Sequence, residues 1–420
     1  MERPDTRRVV LAGAIGNVLE WYDFAVYGYF AAAIGRAFFP KEDPVAQVLS
    51  AFGIFAVGFL MRPVGGALLG YVGDRFGRRT ALTVSVAAMA IPTFLVGVLP
   101  GYAVLGVAAP FVLTGLRMIQ GLSVGGEYTT SIVFMVEHAP PERRGFIGAM
   151  AGCGAIGGIL LGSATGAILA ELMPATALEA WGWRIPFVLG LAVGLAGFFL
   201  RRTLVDEPRT RASGRSPLVE TVRTHWPVLL RLAGLSCFNA VGFYLSFVYI
   251  VSWLQFADGI APAHALGINT FSMVAMLLVM VGAGLLSDRI GRKPMLLMAT
   301  FIGVIGAYPF FWLMYHGEVS MILLGQLGFA LAVGMFVGAQ PTAMVEAAPV
   351  EVRCTAIALG YNLTLGLVGG VSPMVATWLV HRTGDNLMPA FLILGAAAVS
   401  LVATLFLRET SRSTLAVTPA

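Results

Sequence analysis

Gly70-Tyr-Val-Gly-Asp74-Arg75-Phe-Gly77-Arg78-Arg79 is a short basic stretch between two long apolar runs. It has a second copy, Gly284-Leu-Leu-Ser-Asp288-Arg289-Ile-Gly291-Arg292-Lys293, about half a chain later. Working outward, Glu137-His-Ala-Pro140-Pro-Glu142-Arg-Arg144 recurs as Glu346-Ala-Ala-Pro349-Val-Glu351-Val-Arg353. The Glu, Pro, Glu and Arg of these strings are each displaced by 209 positions. Two motifs repeated in the same order mark a duplicated chain, read as parallel repeats.

The repeats lie in an apolar background. Hydrophobic residues make up 58% of the 420, charged residues only 12%, and there are 51 glycines. A soluble chain carries about twice that charged fraction. Twelve runs predict membrane-spanning helices near 10–35, 48–71, 80–99, 105–136, 146–172, 184–204, 227–256, 267–286, 294–315, 319–344, 355–381 and 388–407. Each is long enough for about 30 Å of hydrocarbon, and the runs do not alternate as barrel strands do. The expected fold is all-α and integral to the membrane, with twelve transmembrane helices in two six-helix bundles. The bundles are expected at 1–204 and 226–420. The polar, basic segment 205–225, with its Pro, Gly and Ser, reads as a cytoplasmic linker.

The basic residues orient the chain. With the N-terminus inside, the short inner loops and the linker carry most of the Lys and Arg. The outer loops carry only Arg36, Lys41, Arg184 and Arg382. Both termini are expected in the cytoplasm, and the net charge of +5 needs no nucleic acid to explain it. The first apolar run is too long, and too interrupted by Glu20 and Asp23, for a cleavable signal. Cys153, Cys237 and Cys354 offer neither a disulfide framework nor metal spacing. Helix five steps Gly154, Gly158, Gly162 and Gly166 along one stripe, and helix eleven carries Gly366, Gly369 and Gly370. Such stripes let helices approach backbone to backbone, as ordinary packing or as surfaces on which the halves rock.

Polar residues inside apolar helices are costly and therefore informative. Glu20 and Asp23 share a face of helix one with Gly13, Gly16 and Tyr27, and Asn17 lies on the same helix. Either acid can be a proton carrier, or can be held in a permanent ion pair. Helix four lines up Arg117, Gln120, Val124, Glu127, Tyr128 and Ser131. Arg117 suits a solute carboxylate bidentately, and equally suits Glu20, Asp23 or Glu127 as a counter-ion. Glu127 is a third proton-coupling candidate. Arg62, before Pro63, reads as either gate or anchor. The second half has no mid-span acid or base. Its candidates are Asn239, Tyr249, Trp253, Gln340 and Asn362. By helical rotation Asn239, Phe243, Ser246 and Trp253 share one face of helix seven, and the aromatics there are either packing residues or a cage for a quaternary ammonium.

The repeated loops suggest a conformational gate: Asp74, Arg75, Arg78, Asp288, Arg289 and Arg292, with Glu137, Arg144, Glu346 and Arg353 at the same membrane face. The aspartates can accept from a helix N-terminus or pair with an arginine. The alternative is charge that only sets topology.

The whole chain resembles the major facilitator superfamily, through its twelve-helix plan, the duplicated Gly-xxx-Asp-Arg loop and Arg117-Met-Ile-Gln120-Gly121. Within it the chain is similar to the metabolite:proton symporters. That likeness rests on Gly16-Asn17-Val-Leu-Glu20-Trp21-Tyr22-Asp23-Phe24, Phe59-Leu-Met-Arg62-Pro63, Gly125-Gly126-Glu127-Tyr128-Thr129 and Trp181-Gly182-Trp183-Arg184-Ile185-Pro186-Phe187. The third string and Asn386-Leu387-Met388-Pro389-Ala390 lean toward bacterial proline/betaine transporters. The resemblance implies a proton-coupled symporter of the bacterial cytoplasmic membrane. Its partners would be a small solute, H+ and the lipid bilayer. A zwitterion such as proline or betaine is favoured over a di- or tricarboxylate or a shikimate-like acid. Osmosensing members continue into a coiled-coil tail; the sequence here reaches Ala420 without heptads, a departure that puts osmotic control in doubt. The proline of the drug-antiporter helix-five motif is missing from 152–166, against drug efflux. No ATP-binding, nucleophile or metal signature occurs, so no enzyme activity, metal or cofactor is expected and the energy source is an ion gradient.

Overall fold

The computed structural model describes residues 18, 20–40, 43–66, 68–69, 78–124, 127–137, 139–201 and 217–411. Among them the regular structure is helical throughout. In chain order the long elements are α1 (20–38), α2 (44–66), α3 (Arg78–Val98), α4 (described over Ala108–Ser123 and Glu127–Glu137), α5 (Arg144–Leu172), α6 (Ile185–Arg201), α7 (Trp226–Ala257), α8 (Pro262–Ile290), α9 (Arg292–Met314), α10 (Val319–Ala347), α11 (Arg353–Thr383) and α12 (Met388–Leu405). Eight of them are long and apolar enough to cross a membrane unaided: α2, α5 and α7 to α12. The positions agree with those read from the apolar runs to within a few residues, apart from α1, whose first ten expected residues lie mostly outside the described set. So do Asn17, Asp74 and Arg75. Arg78 and Glu127 open helices, but their side chains are outside that set.

Local chemistry sets several helix ends. Asp43 caps α2, its carboxylate accepting from the N–H of Val45 at 2.8 Å and of Ala46 at 3.2 Å, with Pro44 at the first helical position. Gly291, at φ +105°, turns the chain between α8 and α9, a conformation that disfavours any side chain. Gly384, at φ +72°, ends α11. Two helices contain a wider, π-helical turn, at Tyr244–Tyr249 in α7 and Leu365–Gly369 in α11.

The helices form two compact units. One holds the described residues up to Tyr128 together with Gly154–Arg201. The other holds Thr129–Cys153 and the described residues from Pro217 onward. The end of α4 and the first turns of α5 thus pack with the second unit.

Small residues carry the tight crossings in the first unit. A Cβ on Gly121 of α4 would lie 2.0 Å from the Gly58 carbonyl oxygen of α2, and one on Gly65 would lie 1.9 Å from that of Leu122. Such backbone contact fixes the relative position of Arg62 and Arg117. The α5 stripe packs on α1: a Cβ on Gly158 would come within 2.4 Å of the Val18 oxygen, and Gly162 meets Tyr22, Ala25 and Val26. In the second unit Gly369 lies against Ala240 and Tyr244, so the two π-helical turns adjoin.

Candidate functional site

In the first unit the site is built on α1. Glu20, Asp23 and Tyr27 are all buried. Sequence reading leaves Arg117 three possible acids; the structure pairs it with Asp23. Arg117 Nη1 donates to Asp23 Oδ2 at 2.5 Å, and both side chains are 0% exposed. The other carboxylate oxygen accepts from Thr93 Oγ1 and from Gln120 Nε2, each at 2.8 Å, and Gln120 also donates to Thr93. Three helices, α1, α3 and α4, thereby converge on one acid. Thr93 follows Pro92 inside α3.

The guanidinium of Arg117 lies over the ring of Tyr27, 3.9 Å from its centroid. Its Nε and Nη2 have no partner among the described residues. These two N–H groups form one edge of the planar fork, the geometry that takes a carboxylate through two parallel hydrogen bonds. Arg117 therefore grips an internal acid with one nitrogen and keeps a bidentate edge.

A second buried pair lies beside it. Arg62 Nη2 donates to Glu20 Oε1 at 2.6 Å, with side-chain exposures of 1% and 7%. Arg62 sits among aromatic faces, 4.6 Å from Phe59, 5.2 Å from Trp21 and 5.4 Å from Phe24. Phe24 also lies 5.7 Å from Arg117, so one ring adjoins both cations. Removing one member of such a pair strands a buried charge, at a cost of about 3–5 kcal/mol. Tyr27 donates to the Ala51 carbonyl at 3.0 Å, and Tyr128 packs edge-on against Trp21.

The second-unit candidates do not gather at one point. Asn239 donates to Gln340 at 2.9 Å, and Gln340 donates to Ser236 at 3.3 Å, which ties α7 to α10. Trp253 is on the same helix but about 21 Å further along it. It donates to the Asn386 carbonyl and packs against Phe311 and Tyr315. The π-helical turn at Tyr244–Tyr249 lies between the two positions and rotates the face that regular helical spacing assigns to both. Tyr249 and Asn362 are buried in α7 and α11.

The loop motif builds a third cluster, also in the second unit. Asp288 accepts the N–H of Gly145 at 2.7 Å and of Phe146 at 3.0 Å, both in the first turn of α5. It also accepts from Arg292 at 2.9 Å. Arg292, fully buried, reaches Glu346 at 3.2 Å. Arg353 pairs with Glu137. Both expected uses of the aspartate, helix N-terminus and arginine partner, are realised together. Arg289 is exposed, and Arg144 is buried with its carbonyl accepting from Thr342.

Three contributors escaped sequence reading. Thr93 is a lone hydroxyl in an apolar helix. Glu409 and Thr410 follow α12. Glu409 accepts from the backbone N–H of Arg292 and Lys293, capping α9, and Thr410 donates to Glu346 at 2.6 Å. Partial burial pushes the Glu409 carboxyl up, but the N–H groups of Ser411, Arg292 and Lys293 together hold it below its usual value. The polar tripeptide Arg408-Glu409-Thr410 immediately after an apolar run was the available signal.

Comparisons with known proteins agree with this architecture. A family model described as "Sugar (and other) transporter" matches residues 9–210 and 261–419. The glycine betaine/proline/ectoine/pipecolic acid transporter OusA of Dickeya dadantii is 36% identical over 97% of this chain and 84% of its own length. The proline/betaine transporter of Salmonella typhimurium is 34% identical over 97% and 85%, and the ectoine/proline transporter ProP of Corynebacterium glutamicum 32% over 97% and 85%. Among solved structures, a D-xylose-proton symporter shares the fold with a TM-score of 0.76, at 22% identity over 98% of this chain and 100% of that one. A structure of the major facilitator superfamily proton:xylose symporter XylE bound to 6-bromo-6-deoxy-D-glucose matches equally well, at a TM-score of 0.76, 22% identity and 97% of each chain. The fold is the twelve-helix, two-domain fold of that superfamily, and this multi-pass membrane protein, a transporter and not an enzyme, belongs to the sugar (and other) transporter family.

Proposed function

We propose that the chain is a proton-coupled symporter of a small zwitterionic carboxylate in the bacterial cytoplasmic membrane. The observation that carries the reading is the buried Asp23–Arg117 pair with an open guanidinium edge. Asp23 is the proton carrier. Ionised, it holds Arg117 and is itself held by Thr93 and Gln120. Protonated, it loses the charge-assisted bond, and Arg117 is released toward the solute carboxylate. One fork fits one carboxylate. That favours a proline- or betaine-like zwitterion over a di- or tricarboxylate, in keeping with the named solutes of the relatives.

Solute and proton then move together by alternating access of two six-helix bundles, 1–204 and 226–420, joined by the linker 205–225, with both termini in the cytoplasm. The Asp288, Arg292, Glu346, Glu137 and Arg353 cluster is the cytoplasmic gate, and Asp74, Arg75 and Arg78 are its first-repeat counterparts. Glu20, held by Arg62, is the second proton-coupling candidate, and Glu127 the third.

The test is uptake of labelled proline and glycine betaine into proteoliposomes with an imposed inward proton gradient. Accumulation above the equilibrium level, lost on adding an uncoupler, supports the reading. Gradient-independent equilibration, or accumulation that survives the uncoupler, contradicts it.

A further inference from the structure

The duplication leads from the coupling pair to a second site. At the offset of 209 that relates Glu137 to Glu346 and Arg144 to Arg353, Arg117 of α4 corresponds to Gln326 of α10. Helices one and seven have their own register. Asn17, Tyr22, Val26 and Tyr27 recur as Asn239, Tyr244, Val248 and Tyr249, which sets Asp23 opposite Leu245. In each unit the α4 or α10 residue reaches its own unit's α1 or α7 close to the aligned position. Arg117 donates to the Asp23 side chain; Gln326 Nε2 donates at 3.0 Å to the backbone carbonyl of Ser246, the residue after Leu245. The second unit thus holds a copy of the coupling site without its acid or its base.

That copy is not fully satisfied. Gln326 faces a carbonyl oxygen, so the atom toward Ser246 must be the amide nitrogen, which fixes the orientation of the side chain. Its Oε1 has no partner among the described residues, and neither does Ser246 Oγ; both residues are 0% exposed. Gln340, on the same helix and also bonded to α7, differs: both ends of its amide are engaged, by Asn239 and Ser236. Buried amide and hydroxyl oxygens without donors are rare, because their desolvation is uncompensated. The Ser246 site lies in the π-helical turn of α7, a deformation concentrated at functional positions.

We propose that Gln326 and Ser246 form a specificity site for an N–H-bearing ammonium group. The two oxygens accept, and a secondary ammonium offers two N–H donors. A quaternary ammonium offers none and leaves both oxygens unpaired. The inference rests on the zwitterion reading above and assigns the selection between secondary and quaternary ammonium solutes to this residue pair.

Binding of L-proline and of glycine betaine to the purified protein, measured by calorimetry, tests it. Gln326→Met keeps the length of the side chain and removes the amide. We expect proline affinity to fall about tenfold or more while betaine affinity stays within about twofold, since a site built to hydrogen-bond a group discriminates strongly by it. Ser246→Ala, a smaller change that spares the α7–α10 contact, is expected to shift the same ratio in the same direction. Equal loss of both ligands, or no change in their ratio in either variant, overturns the proposal and leaves the symport reading standing. Failure of the unmutated protein to bind either solute overturns the zwitterion reading, and this assignment with it.

Discussion

Asp288 receives the N–H of Gly145 on one carboxylate oxygen at 2.7 Å and that of Phe146 on the other at 3.0 Å. A carboxylate against the first turn of a helix meets both its unpaired donors and its positive dipole end. The same carboxylate holds Arg292, so one residue joins α5, α8 and α9. Asp288→Asn keeps the shape and loses the charge, weakening both contacts by roughly 1–2 kcal/mol. The expected outcome is a transport rate reduced by about tenfold with membrane expression retained. A variant that transports at the parental rate shows that this contact does not bias the cycle.

Arg117→Lys retains the charge opposite Asp23 but has no planar fork. Carboxylate affinity should fall by about tenfold, with little change in expression, because a point charge replaces two parallel hydrogen bonds. Titration of solute against intrinsic fluorescence measures it. Equal affinities would remove Arg117 from the solute site.

Adjacent glycines of α5 give an internal control on the packing of α1. A Cβ at Gly158 would stand 2.4 Å from a backbone oxygen, whereas Gly157 has nothing within 4 Å. Gly158→Ala should cost roughly 1–3 kcal/mol and lower the apparent Tm; Gly157→Ala should leave it unchanged or slightly higher. Similar shifts in both variants would contradict the backbone-to-backbone crossing.

Asp258, in the loop after α7, carries a carboxyl raised from 3.8 to about 6 by burial, against the lowering charge of His316. Because the folded protein binds this proton more tightly than the unfolded chain, the ionised group is a burden that appears as pH rises from 3.8 and is complete above about 6. Asp258→Asn should therefore raise the apparent Tm at about pH 8 and leave it unchanged at about pH 4. A stabilisation that is largest in acid reverses the sign and contradicts the account.

The twelve helices were legible because lipid demands long unbroken apolar runs, and Asp288 drew notice because its loop string occurs twice. Pairing within the site was less so. Glu20 and Arg62 are 42 positions apart, Asp23 and Arg117 94, and Arg292 and Glu409 117. No local rule joins residues at such distances, so the chain named the charges without matching them. Asn239 and Trp253 show a different failure: helical rotation reports angle and not height, and the π-helical turn between them adds a residue that regular spacing does not count. Thr93 gave almost no signal, since a threonine in an apolar helix usually bonds its own backbone.

The central claim is that Asp23 carries the proton that drives uptake. Without its titratable carboxyl, a carrier can still bind solute and reorient, yet cannot draw energy from the gradient. The decisive measurement compares gradient-driven accumulation with solute counterflow in proteoliposomes bearing Asp23→Asn, with Glu20→Gln and Glu127→Gln run in parallel. The account predicts that Asp23→Asn abolishes accumulation and preserves counterflow. Accumulation persisting in Asp23→Asn would contradict it and move the proton route to another group.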